Sequence, residues 1–287
     1  MVPFAFARPT ALSDVFGLLD EHGEEASLLA GGTDLIVELR NRSRTPSVVI
    51  DLKRVAELQP GISERGGWLT ITATTAMTDV QENALVQMWF PALVDAAATV
   101  GSIQIRNRAT LAGNICHASP AADTAPPLLV YDAVINVASG RGARRVKLDE
   151  FLVGPRQTVI QRGELVTSIE LPIATERRAA TFARMARRRG VDLATVNLCC
   201  LVDPSGRTRF AYGAVGPRPF LVTDETGALS DPSAADDSKD RVLQQLLERA
   251  RPISDVRGSR EYREAMLLLM SRRALRSSIE RLGAAEP

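Results

Sequence analysis

Cysteine is scarce in this chain of 287 residues: only Cys116, Cys199 and Cys200 occur. An iron–sulfur cluster is normally held by about four thiolates, so the chain is not expected to carry one by itself. The odd number, with no disulfide framework, fits a reducing cytoplasm. Adjacent Cys199 and Cys200 lie in an apolar run and would point to opposite faces of a strand, which reads as buried small hydrophobes. Histidine is scarcer still, with only His22 and His117, so a histidine-based metal site is not expected. No stretch of about 18 apolar residues exists, and no membrane span is expected. The start, Met1-Val2-Pro3-Phe4-Ala5-Phe6, lacks a basic segment followed by a long apolar one, so it does not read as a secretory signal. Neither G-x-G-x-x-G nor a P-loop is found, which argues against a nicotinamide-type Rossmann domain and a nucleotide triphosphatase. Lysine is limited to Lys53, Lys147 and Lys239, a compositional bias toward arginine.

What is present is the balance of a soluble globular protein, 45% hydrophobic and 24% charged. The length suffices for one large domain or two ordinary ones. A net charge of +1 gives no argument for a polyanionic partner.

The spacing of Leu12, Val15, Phe16 and Leu19 predicts a helix over Ala11–His22, stopped by Gly23. Ala26–Ala30 reads as a short strand and Thr33–Arg40 as a second helix. Val48–Leu52 reads as a buried strand, so the opening is a small β–α–β unit. Trp68–Thr75 alternates as a strand. Val80–Ala98 is helix-prone and broken at Pro91, with Ala92, Leu93, Ala96, Ala97 and Val100 on one apolar face. Val134–Ala138 and Glu164–Leu171 read as strands, the latter with Leu165, Thr167 and Ile169 alternating against Val166, Ser168 and Glu170. Pro172–Arg178 looks like a linker. Thr181–Arg184, Thr195–Val202 and Arg207–Val215 follow as three strands, with a tight turn at Pro204-Ser205-Gly206. Ser230–Asp240 reads as a mobile surface loop. Helices near Val242–Arg249 and Gly258–Ile279 close the chain.

Two segments carry chemistry. In Leu28-Leu29-Ala30-Gly31-Gly32-Thr33-Asp34-Leu35, a glycine pair links a strand to a helix. Exposed backbone N–H groups at such a junction favour phosphate. A glycine pair before a helix is also commonly just a tight turn. The second segment runs from Thr110 through Leu111, Ala112, Gly113, Asn114, Ile115, Cys116 and His117 to Ser119-Pro120 and Asp123. Its small residues admit a flat ring or a pyrophosphate, and Thr110 and Asn114 offer hydrogen bonds. Asp123 reads either as an acceptor for ribose or ribityl hydroxyls or as the N-cap of the apolar run Pro127–Val130. The segments lie about 80 residues apart, too far for one Rossmann βαβ unit of about 30 residues. Together they read as two jaws around a ligand with two phosphates.

The first segment with Asp51-Leu52, then Ile105–Ile115, Ala118-Ser119-Pro120, Asp123 and Ser168–Pro172, resembles the FAD-binding (medium) subunit of molybdenum hydroxylases. That family includes the medium subunit of aerobic carbon monoxide dehydrogenase and the flavin domain of xanthine dehydrogenase. The resemblance runs in order over essentially the whole chain. It implies an α+β fold: a two-lobed FAD-binding domain of the PCMH or vanillyl-alcohol-oxidase-like type, then a C-terminal domain of a three-stranded antiparallel sheet and helices. The implied division is residues 1–174 (lobes about 1–55 and 56–174) and 175–287. FAD contacts implied by the resemblance are Leu29, Ala30, Gly31, Gly32, Thr33, Asp34 and Leu35 on one side and Thr110, Leu111, Ala112, Gly113, Asn114, Cys116 and His117 on the other. Val100, Asp123, Leu165, Val166 and Arg184 complete the implied set. Ala112 and Ala122 stand where relatives usually have glycine. His117 replaces a small residue or threonine, either facing the flavin or capping a turn. Val100 replaces an aromatic that some relatives place on the isoalloxazine ring. Arg187–Asp192 matches a loop beside the flavin, although a charge run is ordinarily a solvated loop.

The implied function is electron transfer. FAD on this chain would take electrons from [2Fe-2S] clusters of a small subunit, supplied by a molybdopterin centre on a large one, in a heterotrimer or a dimer of heterotrimers. No catalytic side chain and no metal site is assigned to this chain itself. The alternatives are a stand-alone flavin oxidase or reductase, for which His117 is the only obvious base, and a non-catalytic flavin-binding assembly subunit.

Overall fold

The computed structural model describes residues 1–188, 190–231 and 233–284. Its first sheet is parallel and three-stranded, with β1 (Ala5–Ala7), β2 (Ala26–Leu29) and β3 (Val48–Asp51) in the order β1-β3-β2. All four residues of central β3 are buried, as a continuous apolar run in a parallel sheet requires. Helix Leu12–His22 crosses from β1 to β2 and ends at Gly23, whose φ of 54° few other residues adopt. Its Val15 and Leu19 pack on Val48, Ile50, Leu52, Val55 and Leu58 in a small core. Helix Leu35–Asn41 returns the chain from β2 to β3. The β–α–β unit is therefore present, preceded by β1.

The second sheet is antiparallel and five-stranded. It contains β4 (Ile62–Arg65), β5 (Trp68–Thr72), β6 (Val134–Ser139), β7 (Gly142–Lys147) and β10 (Leu165–Pro172), in the order β4-β5-β10-β6-β7. A two-stranded ribbon, β8 (Leu152–Gly154) with β9 (Gln157–Thr158), lies between β7 and β10 in the chain. Short helices between β5 and β6 share the largest core with this sheet. The helix-prone stretch before Ala98 breaks twice, at Asn83 as well as at Pro91. The Asn83 side chain accepts from the N–H groups of Leu85 and Val86 and so starts a new helix. The alternation expected along Glu164–Leu171 is interrupted, because the pairing of β10 with β6 shifts register between Val166 and Ser168. Val166 and Ile169, expected on opposite faces, consequently both enter the large core, while Leu165 lies in the small one.

The third sheet is an antiparallel meander of β11 (Ala179–Met185), β12 (Val196–Val202), β13 (Thr208–Gly213) and β14 (Phe220–Asp224). The expected three strands are β11–β13, and β14 joins at the edge. Cys199 faces the large core and Cys200 faces a third core built with Leu267, Met270 and Leu275 of helix Arg260–Gly283. The sheet is therefore covered on both faces, which accounts for seven consecutive buried residues in β12. The second half of the expected loop Ser230–Asp240 is helical. Helix Asp236–Leu247 starts there, with Asp236 and Asp237 complementing the dipole of its first turn. Pro232 of that segment lies outside the described residues.

Candidate functional site

The first glycine segment leaves β2 at Leu29 and enters helix Leu35–Asn41. Gly32 has φ of +79°, a conformation that costs other residues about 1–2 kcal/mol. Gly31 is required for a different reason. A Cβ on it would stand 2.0 Å from the carbonyl oxygen of Arg108 and 2.9 Å from Cα of Ala109. Backbone therefore rests directly on backbone where the two segments meet. Among the described residues, the N–H groups of Gly31, Gly32, Thr33 and Asp34 donate to no protein acceptor. Lys53, not singled out in the sequence, reaches this segment. Its Nζ contacts the carbonyl of Ala30 at 3.5 Å and pairs with buried Asp51. No pattern in the sequence marked it.

The second segment is anchored to the end of β5. The N–H of Met77 donates to Ala109 and that of Leu111 to Thr75. Thr110 caps helix Leu111–Cys116, its hydroxyl accepting the N–H of Gly113 at 3.0 Å. A Cβ at Gly113 would lie 2.8 Å from that hydroxyl, so the glycine permits the cap. Leu111 and Ala112 point into the large core, which accommodates the alanine that stands in place of glycine. Gly113 is exposed and Asn114 half-buried. The Oδ1 of Asn114 accepts from the Thr124 hydroxyl at 2.7 Å, which leaves its amide N–H groups as the donors. His117 is half-buried at the helix end, with its N–H bonded to Gly113. Cys116 is half-buried, and the desolvation of its thiol pushes the pKa up to about 12 and keeps it protonated at neutral pH.

Asp123 sits at a junction of three elements. Asn197 of β12 donates to its Oδ1 at 2.6 Å. Arg184 of β11 approaches its Oδ2 at 2.9 Å and Thr99 donates to the same oxygen at 3.1 Å. Burial pushes the Asp123 carboxyl up, and these three neighbours oppose that rise. Neither Thr99 nor Asn197 was singled out in the sequence; the one available signal was a lone amide inside the apolar run of β12. Arg184 also donates to the carbonyl of Asp192, tying the β11–β12 loop to this junction. In that loop Arg187 and Arg188 face Asp192 at 3.3 and 4.0 Å, and the Arg187 hydrogen bond holds the Asp192 carboxyl below its usual range. Arg189 of the run lies outside the described residues.

The structure thus brings Leu29–Leu35 against Arg108–Ala109, just ahead of the Thr110 cap, and joins Asp123 to Arg184. Leu165 and Val166 are different: both are buried in the two cores and are not brought to the glycine segments. Val100 is half-buried and packs on the large core.

Residues 2–174 match the family described as the FAD binding domain in molybdopterin dehydrogenase, and residues 180–278 match the CO dehydrogenase flavoprotein C-terminal domain. The chain belongs to this flavoprotein family. It is 28% identical to a putative xanthine dehydrogenase FAD-binding subunit of Escherichia coli, covering 99% of both chains. It is 30% identical to the glyceraldehyde dehydrogenase medium chain of Sulfolobus acidocaldarius, over 95% of this chain and 97% of that one. Among solved structures it superposes on a chain of carbon monoxide dehydrogenase from Hydrogenophaga pseudoflava with a TM-score of 0.89. The identity there is 26%, covering 99% of this chain and all of that one. FAD is the cofactor of this family of oxidoreductase subunits. The flavoprotein's own residues fit such a ligand. Free N–H groups on Gly31–Asp34 suit a pyrophosphate, and the side-chain-free glycine surface lets backbone approach it closely.

Proposed function

We propose that the chain is the FAD-carrying electron-transfer subunit of a multi-subunit molybdenum hydroxylase. It would accept electrons from [2Fe-2S] clusters of a small subunit, fed by a large molybdopterin subunit, and pass them to an external acceptor. The reading places the complex in the cytoplasm, as a heterotrimer or a dimer of heterotrimers. Residues 1–174 form its FAD-binding part, in lobes about 1–55 and 56–174, and residues 175–287 its C-terminal domain. When bound, FAD supplies a carrier that exchanges electrons singly or in pairs.

The observation that carries this reading is the meeting of the two glycine segments at Gly31 and Arg108, beside four N–H groups without protein acceptors. In the proposed site Leu29–Leu35 and Thr110–Asn114 grip the pyrophosphate from two sides. Asp123 and Arg184 supply charge at the C-terminal side. Cluster electrons must come from elsewhere, because Cys199 and Cys200 face different cores and Cys116 lies on a separate helix. Among the described residues no helix is long and apolar enough to cross a membrane.

Reconstitution tests the proposal. The chain is combined with candidate small [2Fe-2S] and large molybdopterin subunits, and flavin absorbance is followed after adding the large subunit's substrate. Bleaching is expected only with all three present. Bleaching of the isolated chain by substrate would instead establish a stand-alone flavoenzyme. A flavin that no partner reduces would establish an assembly subunit.

A further inference from the structure

Strand β12 is apolar on both sides of Asn197, and Asn197 itself is fully buried between Val196 and Leu198. A buried amide gains nothing over an aliphatic side chain unless its hydrogen bonds are needed. Its Nδ2 donates to Asp123 Oδ1 at 2.6 Å. A carboxylate only accepts, so the amide is fixed with nitrogen toward Asp123. Oδ1 then points the other way, and it finds no donor among the described residues. It lies over Gly213, where a Cβ would stand 2.1 Å away. An orphaned acceptor and a missing side chain at 213 are both accepted in order to set one donor on Asp123.

We propose that Asn197 is a positioning residue for the cofactor site: it holds the Asp123 carboxylate charged and in one orientation at the end of the second glycine segment, and Gly213 is kept bare to admit it. This rests on the reading above that Asp123 is a contact of FAD. The groups facing the carboxylate are Arg184 from β11, Asn197 from β12 and Thr99 after helix Pro91–Ala98. Burial raises the Asp123 pKa, and the hydrogen bond from Asn197, the charge of Arg184 and the hydrogen bond from Thr99 lower it. With Asn197 removed, the carboxyl would take up a proton at a higher pH.

The full-length chain and its Asn197→Ala variant are titrated with FAD by flavin fluorescence at pH 6, 7 and 8. The Asp123 carboxyl is followed separately by NMR of the 13C-Asp-labelled chain, with Asp123→Asn giving the assignment. In Asn197→Ala the Asp123 midpoint should move up by about one to two pH units. FAD affinity should fall at least about tenfold at pH 6 and less at pH 8. The uncharged isostere Asp123→Asn should bind FAD weakly at all three pH values, without the pH dependence of Asn197→Ala. An unmoved Asp123 midpoint would overturn the proposal. So would a loss of FAD in Asn197→Ala that is equal at every pH and tracks melting temperature, or full FAD affinity in Asp123→Asn. A wild-type chain that bound no FAD would sink the cofactor reading alone, and the NMR midpoint would still decide the role of Asn197.

Discussion

Replacing Gly31 with alanine separates the two reasons for the glycine pair. The backbone of Gly31 is not left-handed, so alanine adopts it without strain; the obstacle is what lies opposite. The new Cβ would stand 2.0 Å from the Arg108 oxygen, 2.8 Å from the Arg108 carbonyl carbon and 2.9 Å from Ala109 Cα. All three are backbone atoms anchored through Met77 and Leu111, so they yield only if the segments part by about 1 Å, an overpacking cost of about 1–3 kcal/mol. Without ligand the segments relax apart and the melting temperature changes little. Binding must close them again, so the same cost appears as a roughly 5- to 150-fold weaker FAD affinity. Gly32→Ala differs: its Cβ meets the flexible Leu29 Cδ1 at 2.7 Å, and its φ of +79° adds strain to the folded chain itself. Flavin fluorescence titration beside thermal melting of both variants distinguishes them. Wild-type FAD affinity in Gly31→Ala, with unchanged melting, would refute the idea that the segments close on the ligand there.

Gly32→Val, bulkier and β-branched at a left-handed position, should abolish FAD retention while the C-terminal sheet stays folded. Flavin content and limited proteolysis of the purified variant check both halves. Arg144 makes a two-pronged contact with Glu164, each bond 2.8 Å, and holds its carboxyl below the usual range. That contribution is present above the unfolded carboxylate pKa of about 4.3 and disappears as pH falls through the lowered folded value. The urea midpoint of Arg144→Met should therefore lie below wild type at pH 7, with the gap closing toward pH 3; a constant gap contradicts the ion-pair origin. Burial pushes Cys116 and Cys200 up to about 12 and Cys199 well above the ordinary thiol range. An aromatic disulfide reagent at pH 8 should label the native chain slowly and all three thiols in urea. Rapid native labelling of Cys199 or Cys200 would show that its burial is not maintained in solution.

Elements with strong periodicity were legible from sequence. Helix Leu12–His22, the glycine junction, β3, β5, β6 and β11–β13 all fall where the apolar pattern places them. The strands that escaped notice, β1, β4, β7, β8, β9 and β14, are short or carry charge on an edge. Gly-Ala-Arg-Arg-Val-Lys of β7 buries only Val146, so no alternation marks it. The register shift beside Thr167 was equally hidden, because it arises from pairing with β6 rather than from local composition. At the site, the glycine segments announced themselves through the small residues that close backbone approach demands. What they approach did not: the contact of Gly31 with Arg108 and the junction of Asp123 with Thr99, Arg184 and Asn197 join residues far apart in the chain. Only the packing of the third sheet against the large core brings that junction together.

The most direct measurement titrates the flavin-free chain with FAD and, separately, with FMN. A clamp that closes on a pyrophosphate from two sides requires one FAD per chain, with FMN, which has a single phosphate, bound at least about 100-fold more weakly. Equal affinity for the two, or no affinity for FAD, would contradict the two-segment clamp.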